Sequence, residues 1–156
     1  MELRQVARDE LRSVHEARIA TWRTAYRGIV PDAYLDALAL TDEMMANIEA
    51  RYDEGSARTV AAWDDRTAVG MAVAGPCRDE DRAGEQELYA LYVLPSHWGT
   101  GLGGLLWDAV MPFTSLWVLA DNARARAFYA RRGFRPEALK QITFGGDLTE
   151  VRYVLA

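Results

Sequence analysis

Apolar and polar residues along the chain alternate between two periods, and those periods predict a sequence of strands and helices. Residues 3–7 alternate in twos and predict a short strand. Leu11, His15, Ile19, Trp22 and Tyr26 then recur in steps of four, four, three and four, which lays them along one face of a helix over about 9–26. Gly28 and Pro31 end that helix, and Tyr34, Leu35 and Leu38 suggest a helical turn. A second long helix, capped by Thr41 or Asp42, runs to about Tyr52, and Gly55 closes it. Two β-rich runs, 58–63 and 68–74, flank Asp64, Asp65 and Arg66 and predict a hairpin. The charged stretch 78–85 reads as an exposed loop, followed by a strand over 87–93. After Pro95 comes a cluster of glycines, and Leu102, Leu105, Leu106, Ala109 and Val110 then stripe another helix. A short strand over 116–119, a helix over 122–132 ended by Gly133, and strands over 134–143 and 148–155 complete the chain. This order predicts an α/β (α+β) sheet with one βαβ crossover, which should be right-handed.

Composition narrows the function classes. At 156 residues, 50% hydrophobic and 26% charged, the chain is expected to form one domain spanning 1–156. It has no uninterrupted apolar run of membrane-spanning length, and its first residues lack the apolar core of a signal peptide, so a soluble, cytoplasmic protein with no membrane association is expected. Cys77 is the single cysteine and His15 and His97 are the two histidines, which leaves neither an internal disulfide nor a metal-ligand spacing. A net charge of −5 gives no overall drive toward nucleic acid. Lys140 is the only lysine and no glycine loop precedes it, which sets aside phosphate-loop nucleotidases and pyridoxal enzymes.

The glycines Gly99, Gly101, Gly103 and Gly104 stand between a strand and a helix. There, missing Cβ atoms and the unpaired amides of a helix N-terminus favour an anion such as a pyrophosphate; a tight turn is the simpler alternative. Gly99, Gly101 and Gly104 also satisfy the dinucleotide fingerprint G-x-G-x-x-G, with Asp121 22 residues beyond the first glycine. That reading fails because the first glycine comes six residues after Val93 and only 35 residues follow Asp121.

The run from Leu91 to Gly103 (LYVLPSHWGTGLG) and the run from Asp121 to Phe134 (DNARARAFYARRGF) together resemble the two signatures of the GNAT superfamily of acyl-CoA-dependent N-acetyltransferases. The resemblance implies a mixed, mostly antiparallel sheet of about seven strands with a parallel βαβ pair at its centre and about four flanking helices. It implies acetyl-CoA as the cofactor and a primary amine as the acceptor: a small molecule, or alternatively a protein N-terminus or lysine. A non-catalytic CoA-binding regulatory module is the alternative of another class, and a homodimer stays open.

By the same resemblance, Trp98, Gly99, Thr100, Gly101, Gly103 and Gly104 form the pyrophosphate loop. Trp98 stands where the family carries Arg or Gln. Leu91 and Val93 offer backbone groups to the pantetheine arm, and Asn122 bonds that arm, although it is also a natural helix N-cap. Tyr129 is the candidate general acid, with packing against the sheet as its alternative. Glu87 is the candidate general base, directly or through water, with a solvated glutamate at the strand start as its alternative: strict alternation over 87–93 puts Glu87, Tyr89, Leu91 and Val93 on one face, toward the cofactor. Trp22, Tyr26, Ile29 and Pro31 resemble the lining of the acceptor site, with core packing as the commoner fate of aromatics at helical spacing; the shape of that site depends on the loops 26–40, 78–86 and 140–147. The acidic run Asp79, Glu80, Asp81 reads as a solvated loop.

Overall fold

The computed structural model describes residues 1–143 and 146–156, so residues 144 and 145 of the last of those loops lie outside the described residues. Seven strands form one sheet: β1 (Glu2–Gln5), β2 (Arg58–Asp64), β3 (Thr67–Pro76), β4 (Gln86–Val93), β5 (Ser115–Leu119), β6 (Phe134–Thr143) and β7 (Asp147–Leu155). Their order is β1-β2-β3-β4-β5-β7-β6. Every neighbouring pair is antiparallel except β4 and β5, the central pair expected from the crossover.

The helices are α1 (Leu11–Ala25), α2 (Asp32–Ala37), α3 (Asp42–Glu54), α4 (Leu102–Val110) and α5 (Ala123–Arg131). The fifth, α2, is the predicted turn lengthened to six residues. Thr41 caps α3 by accepting from the Met44 amide at 3.1 Å, and Gly55 closes it with a left-handed φ of 71°. Leu102, Leu106, Trp107 and Val110 of α4 pack with Leu88, Leu116 and Val118 on one face of the sheet. Leu11 and Val14 of α1 and Met45 of α3 pack with Ala61, Trp63 and Met71 on the other. A third cluster joins Val30 and Leu35 to Leu119 at the end of β5, with Ile29, Ile142 and Leu148 beside it.

One irregularity in β4 sets the site. Val73 pairs with Ala90 but Ala74 pairs with Leu88, so Tyr89 is an extra residue, a β-bulge. Leu88, Leu91 and Val93 consequently share the α4/α5 face, while Ala90 and Tyr92 face α1 and α3. The strict alternation expected over 87–93 is thereby broken: Glu87 and Tyr89 do not share a face with Leu91 and Val93.

Candidate active site

β4 and β5 share only two ladder positions, Glu87 opposite Ser115 and Leu88 opposite Leu116. Beyond these the strands part, and the wedge opens on the α4/α5 face into a cleft of about 470 Å³. Its walls are Trp22 and Tyr26 from α1, Leu91 and Val93 from β4, and Trp98, Gly99 and Gly101 from the following loop. Gly103 and Gly104 of α4 and Asn122, Arg124, Tyr129, Arg131 and Arg132 complete it. Thus most of the residues singled out from the sequence line one cavity.

The four glycines divide by physical role. Gly99 (φ 75°) and Gly101 (φ 86°) hold left-handed backbone and face open space, so no side chain stands between their amides and the cleft. Gly103 and Gly104 are helical and make room for α5: a Cβ would lie 3.5 Å from Phe128 at Gly103 and 2.4 Å from the Arg132 guanidinium at Gly104. Their N–H groups belong to the first turn of α4, where no intrahelical acceptor exists, so they and the helix dipole point at the cleft. Thr100 is not on the wall; its hydroxyl donates to the His97 carbonyl at 2.6 Å and shapes the loop. The lining includes three arginines and no Asp or Glu, although the whole chain carries −5. The cleft therefore favours a polyanion.

Asn122 is both N-cap and cleft residue. Its Oδ1 accepts from the Ala125 amide at 3.2 Å, and its Nδ2 makes no hydrogen bond among the described residues, leaving a donor for the cleft. The Tyr129 ring packs 5.8 Å from Trp107 and its hydroxyl makes no hydrogen bond among the described residues. Burial pushes the phenol well above its ordinary range, so it keeps its proton at neutral pH. Trp22 lies 5.2 Å from Tyr26 and 6.1 Å from Tyr92, forming an aromatic wall. Ile29 does not reach the cleft; it packs in the third cluster.

A second cavity, also about 470 Å³, lies on the opposite face of the sheet and is lined by Arg78, Asp79, Glu87, Tyr89, Trp117, Lys140 and Glu150. A small cavity of about 70 Å³ lies in the wedge between the two, sharing Tyr89 and Trp117 with the recess and Leu91, Asn122 and Tyr129 with the cleft. Glu87 is 1% exposed and paired with Arg78: Oε1 accepts from the Arg78 amide at 3.0 Å and Oε2 from Nη2 at 2.8 Å. Lys140 sits 4.0 Å over the Trp117 ring and 3.6 Å from Glu150.

Sequence reasoning missed this recess, because its residues come from four strands and a loop. Of the acidic run expected to be solvated, Glu80 is exposed but Asp79 and Asp81 are engaged. Arg152, 6% exposed, donates to Asp79 at 3.2 Å, to Asp81 at 2.7 Å and to Glu137 at 2.7 Å, which ties the loop after β3 down onto the sheet. The guanidinium holds the Asp81 and Glu137 carboxyls below their usual range. Glu137 is the extra residue of a second bulge, in β6, and no periodicity marks it.

A glycine loop opening a helix beside a splayed parallel strand pair, with a basic cleft on one face and a polar recess on the other, defines an acyl-CoA-type transferase fold. The GNAT acetyltransferase family model matches residues 16–134, and the chain belongs to that family, whose members move an acetyl group from acetyl-CoA to an amine. The uncharacterized N-acetyltransferase YuaI of Bacillus subtilis (strain 168) is 29% identical over 152 residues, covering 91% of this chain and 83% of its own. Among solved structures, the PaiA N-acetyltransferase of Thermoplasma acidophilum in complex with coenzyme A superposes with a TM-score of 0.71 at 21% identity, covering 98% of each chain. The acetyltransferase yncA of Salmonella typhimurium with acetyl-CoA gives 0.67 at 21% identity over 99% of this chain and 94% of its own. Among the described residues no helix is long and apolar enough to cross a membrane.

Proposed function

We propose that the chain acetylates a primary amine of a small molecule, with acetyl-CoA in the basic cleft and the amine entering from the polar recess on the opposite face. The observation that carries this reading is the small cavity beside Tyr129 that shares walls with both, which in this proposal serves as the passage between them. When bound, acetyl-CoA supplies an acyl group activated as a thioester. The amides of Gly99 to Gly104 and the N-terminus of α4 hold the phosphates, and the Arg side chains of α5 surround them with positive charge. Asn122 Nδ2 and the backbone of Leu91 and Val93 orient the arm that enters the wedge. Tyr129 holds a proton at its hydroxyl and gives it to the departing sulfur as general acid. Glu87 is the proposed base. Because its carboxylate lies in the recess rather than on the passage, it takes the amine's proton through water.

The narrow passage suits an unbranched primary amine, and the recess has the size of pockets that enclose small molecules, which favours a small acceptor over a protein segment. A hydroxyl left unengaged at Tyr129 speaks against a module that only binds CoA. The test has two arms. Acetyl-CoA at about a hundredfold above Kd should raise Tm by roughly 5–10 °C, whereas NAD should leave it unchanged. A panel of small amines, peptide N-termini and lysyl peptides, read by free thiol release, should then show turnover with a small amine. Stabilisation by NAD and not by acetyl-CoA would overturn the assignment of the cleft, and turnover confined to peptides would overturn the small acceptor.

A further inference from the structure

Position 98, at the head of the glycine loop, carries an indole, and the fold brings a guanidinium to the same place from another element. The Trp98 Nε1 donates to the Val93 carbonyl at 2.8 Å, which pins the ring at the rim of the cleft with 36% of the residue exposed. Arg124, the second residue of α5, stacks its guanidinium 3.8 Å above that ring, the shortest cation–ring distance among the described residues. Both residues line the cleft.

Arg124 makes no ion pair among the described residues. Its neighbour Arg132, by contrast, lies 3.7 Å from Asp108 and over the Phe128 ring. A cation in the first turn of a helix also opposes the macrodipole, so helix stability gives no reason for an arginine there. The indole face orients the guanidinium plane and leaves its edge N–H groups free, the fork that binds phosphate oxygens in pairs.

We propose that Arg124, perched on Trp98, is the cofactor-binding side chain that meets the pyrophosphate. Positive charge then meets the glycine loop from the opposite wall of the cleft. Trp98 acts as its positioning residue. This inference rests on the reading of the cleft as the acetyl-CoA site.

The experiment measures Kd by calorimetry for acetyl-CoA, for 3′-dephospho-acetyl-CoA and for acetyl-pantetheine, which lacks the pyrophosphate, at two salt concentrations. Arg124→Ala should weaken acetyl-CoA and its dephospho form alike by about ten- to a hundredfold. It should leave acetyl-pantetheine unchanged and flatten the salt dependence. Trp98→Ala should give a smaller loss of the same pattern, and Trp98→Arg combined with Arg124→Ala should recover affinity by restoring the charge to the loop. Because Arg124 is exposed, the melting temperature of the free variant should match the parent. Unchanged acetyl-CoA affinity in Arg124→Ala would overturn the proposal, as would equal loss for acetyl-pantetheine, or a loss confined to acetyl-CoA, which would place the guanidinium on the 3′-phosphate. A parent protein that binds none of the three compounds would instead overturn the reading of the cleft itself.

Discussion

Replacing Tyr129 by Phe removes one oxygen and separates proton donation from every other role of the residue. In the folded protein that oxygen makes no hydrogen bond among the described residues, while the ring packs 5.8 Å from Trp107, 5.7 Å from Phe128 and 6.2 Å from Tyr153. The substitution keeps those contacts and leaves no buried partner unsatisfied, so folding stability should stay within about 1 kcal/mol and Tm within a few degrees. Acetyl-CoA affinity should likewise be unchanged, since the apolar ring still closes the wall. Turnover is different. A positioned general acid is typically worth roughly a hundredfold or more, about 2.7 kcal/mol of barrier, so kcat should fall by about that factor with KM little altered. The burial that raises the phenol pKa keeps the donor protonated, so the parent should show no loss from Tyr129 ionisation between pH 6 and 9. The assay is thiol release at saturating acetyl-CoA on an accepted amine across that range. Full kcat for Tyr129→Phe at every pH would refute the general-acid role and leave the residue as core packing.

Gly101→Val places a branched residue at a φ of 86°, so it should strain the backbone by roughly 1–2 kcal/mol and lower acetyl-CoA affinity at least tenfold in calorimetry, with the fold retained by circular dichroism. Glu87→Gln keeps the shape of a residue that is 1% exposed and should lower kcat tenfold or more without unfolding the protein; unaltered kcat would leave Glu87 as the anchor of Arg78 alone. His15 accepts from Arg18 Nε at 3.0 Å, and burial lowers its pKa from the ordinary 6.5 to about 4. The unfolded chain thus binds a proton that the folded chain refuses between those values, and the contribution of neutral His15 is complete above pH 6.5 and lost as pH falls toward 4. Tm should decline over that window, and His15→Gln should flatten the decline.

The elements most legible in the sequence are those whose signal is local. The hairpin appears as β2 and β3 because Asp64 to Arg66 interrupt two β-rich runs, and α3 begins where Thr41 can cap it. The glycine loop and the Asn122 to Tyr129 segment were readable because their residues are contiguous, and they meet across one cleft. What could not be read depends on register. The bulge at Tyr89 adds a residue that no periodicity announces, and it reverses the face assigned to Glu87. Gly103 and Gly104 look in sequence like Gly99 and Gly101, yet only the packing of Phe128 and Arg132 separates close helix approach from left-handed backbone. The recess was out of reach for the same reason: Glu87, Trp117, Lys140 and Glu150 converge only when four strands are set in order.

The bulge and the wedge together show how one strand can serve the two roles proposed for it. A carboxylate sharing a face with Leu91 and Val93 would sit in the cleft, where it would oppose the negative charge that three arginines favour. By inserting Tyr89, the strand turns Glu87 to the other side, where Arg78 pairs it and the net charge of the cleft stays positive. The two ladder positions between β4 and β5 then anchor the strands just where Glu87 lies, and beyond them the strands part around the small cavity between the two sides. The bulge thus puts the proposed phosphate site and the proposed base on opposite faces of the sheet, although only a few residues of chain separate them.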